Sequence, residues 1–423
     1  MEDVYDRVEK ACKELMLQKI EFVRYNFPYY AHHGISHVME VAEYADRLLF
    51  TDRKRPILAI LRCAAYLHDI GMALLPPEID KLELEIDTTY VKKLFKLETC
   101  EDKKAECYTR YFAECRDAGP CQCVSTNKVL TVVIGGQHHV RGVCDQFEWG
   151  DFLRKIHPWA SAKYVTTYLP PLLHMLRKSD AHLFAEAVAT VIKGHSRHLE
   201  PYMSGTLWGI DLAKITRKLS AALILADALD FTRTKIIDST VEVIMKQCPT
   251  QLKHWVFKNY VEKIDIKGRK IVIHTDYQPG NLEFIGLLAF ELGGNFAHDF
   301  RRAQELNDDY KNIKICINNQ SKKYDVTKIV DELYKFLQET TKEENKKQAE
   351  ELLGQIFGVK LCEETPEKRG EEARKERCGG KCEVDPFDLL AFAVAKNKGR
   401  EKVKAFFEII GFSNITQKLP HCE

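Results

Sequence analysis

Three ionisable residues, His37, His68 and Asp227, fall on the apolar faces of separate helical segments. Their apolar neighbours at helical spacing are Val41 and Leu48 for His37, Leu61 and Ala64 for His68, and Leu219 and Leu223 for Asp227. A buried carboxylate that faces buried imidazoles costs free energy unless its charge is compensated. A divalent cation compensates this charge and accepts both imidazole nitrogen and carboxylate oxygen as ligands. The spacing therefore predicts a metal site.

The same residues form an ordered motif of a histidine, a His-Asp pair and a later aspartate. The segments are HGISHVMEVAEYA with His37, CAAYLHDIGM with His68 and Asp69, and LILADALDFTR with Asp227. This pattern resembles the HD superfamily of metal-dependent phosphohydrolases over residues 1–240. The resemblance implies that these four residues bind a divalent ion. It also implies a catalytic role for Asp69, which would orient or deprotonate a water molecule.

Further histidines follow the His-Asp pair, and their order resembles the H-HD-H-H-D arrangement of HD-GYP phosphodiesterases. They are His138 and His139 in GGQHHVRG and His195 in KGHSRHLEPYMSG. By this resemblance, His195 and either His138 or His139 hold a second ion; a contact with substrate phosphate or a place in the core is the alternative. The chain lacks the GYP tripeptide and has HDIGM instead of HDIGK, which argues against cyclic di-GMP as the substrate.

His33 precedes His37 by four residues, and their HGISH segment resembles the HNxxH segment of cyclic nucleotide phosphodiesterases. The first histidine of that segment protonates the leaving oxygen. The resemblance therefore implies that His33 is a general acid. A position at the start of the helix or on the surface is the alternative.

Five basic residues lie near a predicted ligand and are candidates for binding substrate phosphate: Arg62, Arg141, Lys193, Arg197 and Arg233. Arg233 is favoured, because it follows Asp227 closely and a guanidinium can bind phosphate through two nitrogen atoms. Structural ion pairing is the alternative for each of them. The other histidines form no recognisable cluster and are interpreted as ordinary core or surface residues: His157, His174, His182, His254, His274 and His421.

The hydrophobic periodicity predicts a mainly α fold. Residues 1–240 show helical spacing and are interpreted as an all-helical HD domain, interrupted by a Cys-rich insertion at about 97–125. Residues 241–325 contain β-branched residues that flank the turn-like KGRK, which predicts a hairpin in a smaller α/β domain. Residues 326–423 are interpreted as a charged linker and a helical C-terminal tail.

The 63 basic and 62 acidic residues nearly cancel, which disfavours nucleic acid or an anionic membrane as the partner. No apolar run has the length of a membrane span, and the N-terminal segment lacks the features of a secretory signal. A cytoplasmic location is therefore expected. In that compartment the 14 cysteines are expected to be mainly free thiols, with disulfides or an irregular metal site as alternatives. The sequence leaves the oligomeric state open, and a homo-oligomer is one of the possible states.

Together these features predict a phosphohydrolase that acts on a small-molecule phosphoester, such as a nucleotide or a related phosphomonoester or phosphodiester. One or two divalent ions would lower the pKa of a bound water and polarise the phosphoryl oxygen. Mn, Fe, Mg, Zn, Ni and Co all fit the residue types. One alternative is a regulatory or scaffolding protein that binds a metal or nucleotide without turnover. Another is a nuclease, which would need a basic groove beside the metal.

Overall fold

A computed structural model describes the chain in segments and divides it into two compact units. The described residues are 3–27, 33–82, 84, 129–134, 137–142, 146–196, 199–232, 257–258, 260–275, 291–292, 296–319 and 322–325. Among them, only the backbone is described at 76, 80, 129–134, 137–142, 146–152, 319 and 322–325. The first unit comprises Met1–Pro28 and His33–Leu223, and the second comprises Tyr29–His32 and Ile224–Glu423. The predicted insertion at 97–125 and the predicted tail at 326–423 lie outside the described residues.

Helices form most of the first unit, and the prediction of a mainly α fold is confirmed. They are α1 (Val4–Leu17), α2 (Val23–Asn26), α3 (Ile35–Leu48), α4 (Arg55–Leu67), α5 (Pro76–Leu82), α6 (Gln146–Tyr168), α7 (Lys178–Gly194) and the larger part of α8 (Leu212–Ala228). Helix α1 shows the physical reason. The buried residues Val8, Ala11, Cys12 and Leu15 follow the spacing i, i+3, i+4 and i+7, so one face of the helix packs inward.

Helix α4 lies at the centre of the first unit's core. Its residues from Ile57 to Leu67 are all buried except Arg62, whose guanidinium lies 2.7 Å from Asp46 Oδ2. Pro56 fits the first turn, because the N–H that proline lacks would have no helical acceptor there. Among the described residues, Arg55–Ala73 is the segment long and apolar enough to cross a membrane. Because 89% of its most apolar window is buried inside the protein, it has the burial of a core helix.

The first unit also contains two small antiparallel hairpins, which the helical periodicity did not predict. They pair β1 (Val129–Ile134) with β2 (Gln137–Gly142) and β3 (Thr206–Leu207) with β4 (Ile210–Asp211). Trp208, in the second turn, has a φ of 52°, which is uncommon for a bulky residue. Its ring contacts the rings of Tyr5 and Phe184, with centroids 5.1 and 5.6 Å away, so packing holds this conformation.

The second unit contains a four-stranded sheet in the order β5-β6-β7-β8. Its elements are β5 (Val261–Lys267), β6 (Lys270–Thr275), helix α9 (Ala297–Leu306), β7 (Lys314–Asn319) and β8 (Lys322–Asp325). Strands β6 and β7 are parallel, and the other neighbouring pairs are antiparallel. The predicted hairpin around KGRK is confirmed, and its turn contains Gly268 with a φ of 55°, a conformation that glycine adopts at no steric cost.

The described cysteines differ between the two units. Cys12 and Cys63 in the first unit are buried free thiols, and burial raises the pKa of the Cys63 thiol well above its ordinary value. Cys316 on β7 is disulfide-bonded. Free thiols and at least one disulfide are therefore both present.

Helices α7 and α8 approach each other closely at Gly194, the last residue of α7. A Cβ atom at this position would lie 2.2 Å from Ser220 Oγ and 2.4 Å from Pro201 Cβ. Both distances are far shorter than van der Waals contact, so a larger residue would have to push the backbone aside. His195 follows directly, and this contact therefore sets the position of a predicted metal ligand.

We expect Gly194→Ala to lower the free energy of unfolding by about 1–3 kcal/mol, because it overpacks this contact. A decrease would be informative, because replacing glycine by alanine inside a helix ordinarily raises the free energy of unfolding by about 1 kcal/mol. Urea denaturation of the two proteins measures the difference. A midpoint equal to or above that of the wild type would contradict the close contact.

Candidate metal centre

The His68-Asp69 pair lies where helix α4 ends and a single 3-10 turn, Ile70–Ala73, begins. Both side chains are buried. The Nδ1 atom of His68 lies 2.8 Å from the carbonyl oxygen of Ala65, one of the last carbonyls of the helix. A carbonyl only accepts hydrogen bonds, so Nδ1 carries a proton, and in the neutral form of the ring Nε2 of His68 offers a lone pair.

Helix α3 brings two more predicted residues to this pair. His37 Nε2 lies 3.2 Å from His68 Nε2 and 3.1 Å from Asp69 Oδ2. His33, just before α3, places Nδ1 3.4 Å from the same carboxylate oxygen, and its side chain is 27% exposed. The structure thus brings together four of the residues that the sequence singled out.

A second pair of imidazoles lies on the other side of Asp69. His195, at the C-terminal end of α7, places Nε2 3.0 Å from His157 Nε2, and His157 Nε2 lies 3.6 Å from Asp69 Oδ1. The two carboxylate oxygens of Asp69 therefore lie near different pairs of histidines. Candidate ligand atoms of Asp69, His157 and His195 all lie within 4.8 Å of one another, as do those of His33, His37 and Asp69.

His157 was interpreted from the sequence as an ordinary residue, and the structure places it in the cluster. A local signal was present. His157 follows Leu153 by four residues and precedes Val165 by eight, and both of these apolar residues are fully buried. The same spacing argument that singled out Asp227 would have found it.

Helix α6, which carries His157, is joined to the turn after Asp69 by the fully buried Ser161. The Ser161 hydroxyl donates to the His68 carbonyl oxygen at 2.6 Å and accepts from the Gly71 N–H at 2.8 Å. A Cβ at Gly71 would lie 2.7 Å from the His157 carbonyl oxygen, so only glycine allows the turn to approach the helix this closely. These contacts bring His157 against Asp69.

The donor arrangement of the imidazoles fits a cation. Nδ1 of His157 faces the Arg154 carbonyl oxygen at 2.6 Å, and Nδ1 of His195 faces the Ile192 carbonyl oxygen. Both rings therefore carry their proton on Nδ1, and their Nε2 lone pairs face each other at 3.0 Å. Lone pairs this close repel unless a proton or a metal ion lies between them. Histidine ligands in metal sites have the same arrangement, with one ring nitrogen donating to a carbonyl and the other free to bind the metal.

The carboxyl group of Asp69 is held in its ionised form. Burial alone would raise the pKa of this group, but the positive charge of His68 and hydrogen bonds from His33 and His37 outweigh burial and hold the pKa well below its ordinary value. A buried carboxylate surrounded by imidazoles needs positive charge nearby. A divalent cation would supply that charge while leaving the imidazoles neutral.

A comparison with protein families finds a family that matches this chain. The family described as HD-CE matches residues 27–304, which is more than half of the chain. The chain belongs to the HD-CE family. Comparisons with curated proteins and with solved structures gave no significant match.

The segment that matches HD-CE contains the whole histidine cluster around Asp69, including His157. It also extends past residue 240, into the part of the chain that holds β5 and β6. Membership in HD-CE thus agrees with the HD-type resemblance of the motif.

The other predicted site residues of this HD-CE chain are described less completely. His138, His139 and Arg141 lie on β2, and their side chains are outside the described residues. Lys193 is exposed, two residues before His195. Arg197 and Arg233 lie outside the described residues. Asp227 is half-buried on the last turn of α8, in the part of that helix that belongs to the second unit.

We expect His157→Ala to reduce the amount of divalent metal bound by one equivalent per chain, because it removes a lone pair that faces His195 and Asp69. Equilibrium dialysis with Co²⁺, followed by elemental analysis, measures this quantity. His182→Ala is the matched control, since His182 is an exposed histidine on α7, the helix that ends beside His195. Equal metal content in wild type and His157→Ala would remove His157 from the ligand set.

Proposed function

We propose that this protein is a metal-dependent phosphohydrolase that hydrolyses a small phosphoester, such as a nucleotide, in the cytoplasm. One observation carries the proposal: imidazole Nε2 atoms lie near both oxygens of one buried carboxylate, Asp69. Those of His37 and His68 lie near Oδ2, and that of His157 lies near Oδ1. Two adjacent cation sites that share a carboxylate are a common arrangement in enzymes that displace phosphoryl groups. The HD-CE membership supports an HD-type hydrolase.

The residues divide into two ligand groups. We propose that His37, His68, Asp69 and Asp227 hold the first ion, as the sequence motif implies. Asp69, His157 and His195 would hold the second, with His157 in the place that the sequence had assigned to His138 or His139. When bound, such ions lower the pKa of water and polarise a phosphoryl oxygen.

The charge of this ligand set favours an anionic substrate. Most of the proposed ligands are neutral imidazoles, and only Asp69 and Asp227 bring negative charge. Two dications would therefore leave the centre with net positive charge, which attracts phosphate and disfavours neutral esters. The imidazole-rich set also favours iron, zinc, nickel or cobalt over magnesium, which prefers oxygen ligands.

His33 is placed to transfer a proton to the leaving group. Its side chain is 27% exposed, whereas His37 and His68 on the same side of Asp69 are buried, so a substrate can reach it. The Asp69 carboxylate, 3.4 Å from its Nδ1, would orient the ring. His33 thus has both the access and the orientation that a general acid needs. Arg141, Lys193, Arg197 and Arg233 stay proposed phosphate-binding residues.

We expect the purified, metal-loaded protein to release phosphate or a phosphomonoester from at least one member of a panel of nucleotides, cyclic nucleotides and bis(p-nitrophenyl) phosphate. Asp69→Asn should lower this rate by more than about a hundredfold, since even changes to residues outside the ligand shell commonly cost ten- to hundredfold. Asp180→Asn is the matched control, because Asp180 lies in the first turn of α7, at the end of the helix opposite to His195, and pairs with Arg177 just before the helix.

The outcomes separate the alternatives. Metal binding without turnover of any substrate would favour a regulatory or scaffolding protein. Cleavage of single-stranded DNA or RNA in preference to small phosphoesters would favour a nuclease. Equal turnover by wild type and Asp69→Asn would contradict catalysis at this site.

A further inference from the structure

Pro158 lies inside helix α6, directly after His157. Proline has no N–H, so the helical hydrogen bond from residue 158 to the carbonyl of Arg154 does not form. The pyrrolidine ring also clashes with that carbonyl and pushes it away from the helix axis. A proline in a helix interior is costly, and its presence beside a candidate ligand calls for an explanation.

The affected carbonyl is the one that orients His157. The Arg154 carbonyl oxygen accepts a hydrogen bond from His157 Nδ1 at 2.6 Å, which leaves the Nε2 lone pair toward His195 and Asp69. Within an uninterrupted helix this carbonyl would point along the axis and bond to the N–H four residues later. The proline removes that competing donor.

Two other histidines of the cluster obtain the same arrangement in another way. Nδ1 of His68 and Nδ1 of His195 also donate to the carbonyl three residues earlier, which belongs to Ala65 and to Ile192 respectively. Both lie where a helix ends, and carbonyls there lose the regular N–H partner four residues later. At the end of α7, for example, the Ser196 N–H bonds the Lys193 carbonyl and not that of Ile192. His157 lies in the middle of α6, eleven residues before its end at Tyr168, so it has no helix terminus to use.

We infer that Pro158 is a positioning residue, which releases the Arg154 carbonyl so that this carbonyl fixes the ring and the protonation site of His157. This inference rests on the proposed metal centre and deepens it. Pro158 offers no ligand atom of its own. It acts through His157, and so it governs the ion held by His157 and His195.

The test compares the wild type with Pro158→Ala. The variant regains the N–H at position 158, and we expect opposite effects on two properties. The urea midpoint should rise, because a helix hydrogen bond is restored. The affinity for the ion held by His157 and His195 should fall by roughly ten- to hundredfold, as for other residues that orient metal ligands. The other ion should bind as in the wild type.

Co²⁺ titration followed by d–d absorption measures both affinities, and His157→Ala defines the titration curve of the other ion alone. Thr167→Ala is the control, because Thr167 is an exposed residue of α6 whose hydroxyl bonds the Lys163 carbonyl. This change also alters the helix, yet it should leave both affinities unchanged.

A measurement on metal-free protein tests the role of Pro158 independently of the proposed function. In metal-free protein above the titration range of the imidazoles, nitrogen-15 NMR of His157 should show the proton on Nδ1 in the wild type and a shift toward Nε2 in Pro158→Ala. Unchanged protonation sites, an unchanged affinity for the second ion, or an equal loss of both ions would overturn the role of Pro158. A wild type that binds no Co²⁺ would instead contradict the proposed metal centre.

Discussion

Two imidazole nitrogens that both carry lone pairs repel each other at 3.0 Å. The histidine cluster inside the first unit is stable only if a positive charge relieves this repulsion. His157 and His195 meet in this way, and both rings are fixed by carbonyl oxygens that accept from Nδ1. The rings cannot simply exchange their protons between nitrogens, because Nδ1 would then face a carbonyl without a proton to donate. Positive charge between the two Nε2 atoms is the remaining solution.

Asp69 connects this pair to the rest of the cluster. Oδ1 lies near His157 and Oδ2 lies near His33 and His37, so one carboxylate serves both sides. The turn that carries it is held to α6 through Ser161 and can approach that helix because residue 71 is glycine. A carboxylate this firmly held would reach both ions without rearrangement, which is how preorganised sites obtain high affinity.

The sequence could predict much of this arrangement, since helical spacing and the motif brought out His37, His68 and Asp69. The mainly α fold and the hairpin around Gly268 also followed from local patterns. His157 was missed because it belongs to no cluster in the sequence, since His195 and Asp69, which it meets in the fold, are distant along the chain. The contact of Ser161 with Gly71 joins residues 90 positions apart, and no local pattern reports such a contact. His138 and His139 were predicted from their place in the order of the HD-GYP arrangement, and their side chains lie outside the described residues.

The three oriented histidines differ in their place in a helix, and this difference explains why a proline lies inside α6. A helix that ends beside the cluster offers carbonyls outside the regular i+4 hydrogen-bond pattern, as α4 and α7 do for His68 and His195. Helix α6 cannot end at His157, because Ser161, one turn later, is needed to hold the turn after Asp69. Proline satisfies both demands, since it frees one carbonyl while the helix continues. The stability lost within α6 is thus tied to the geometry of the candidate centre.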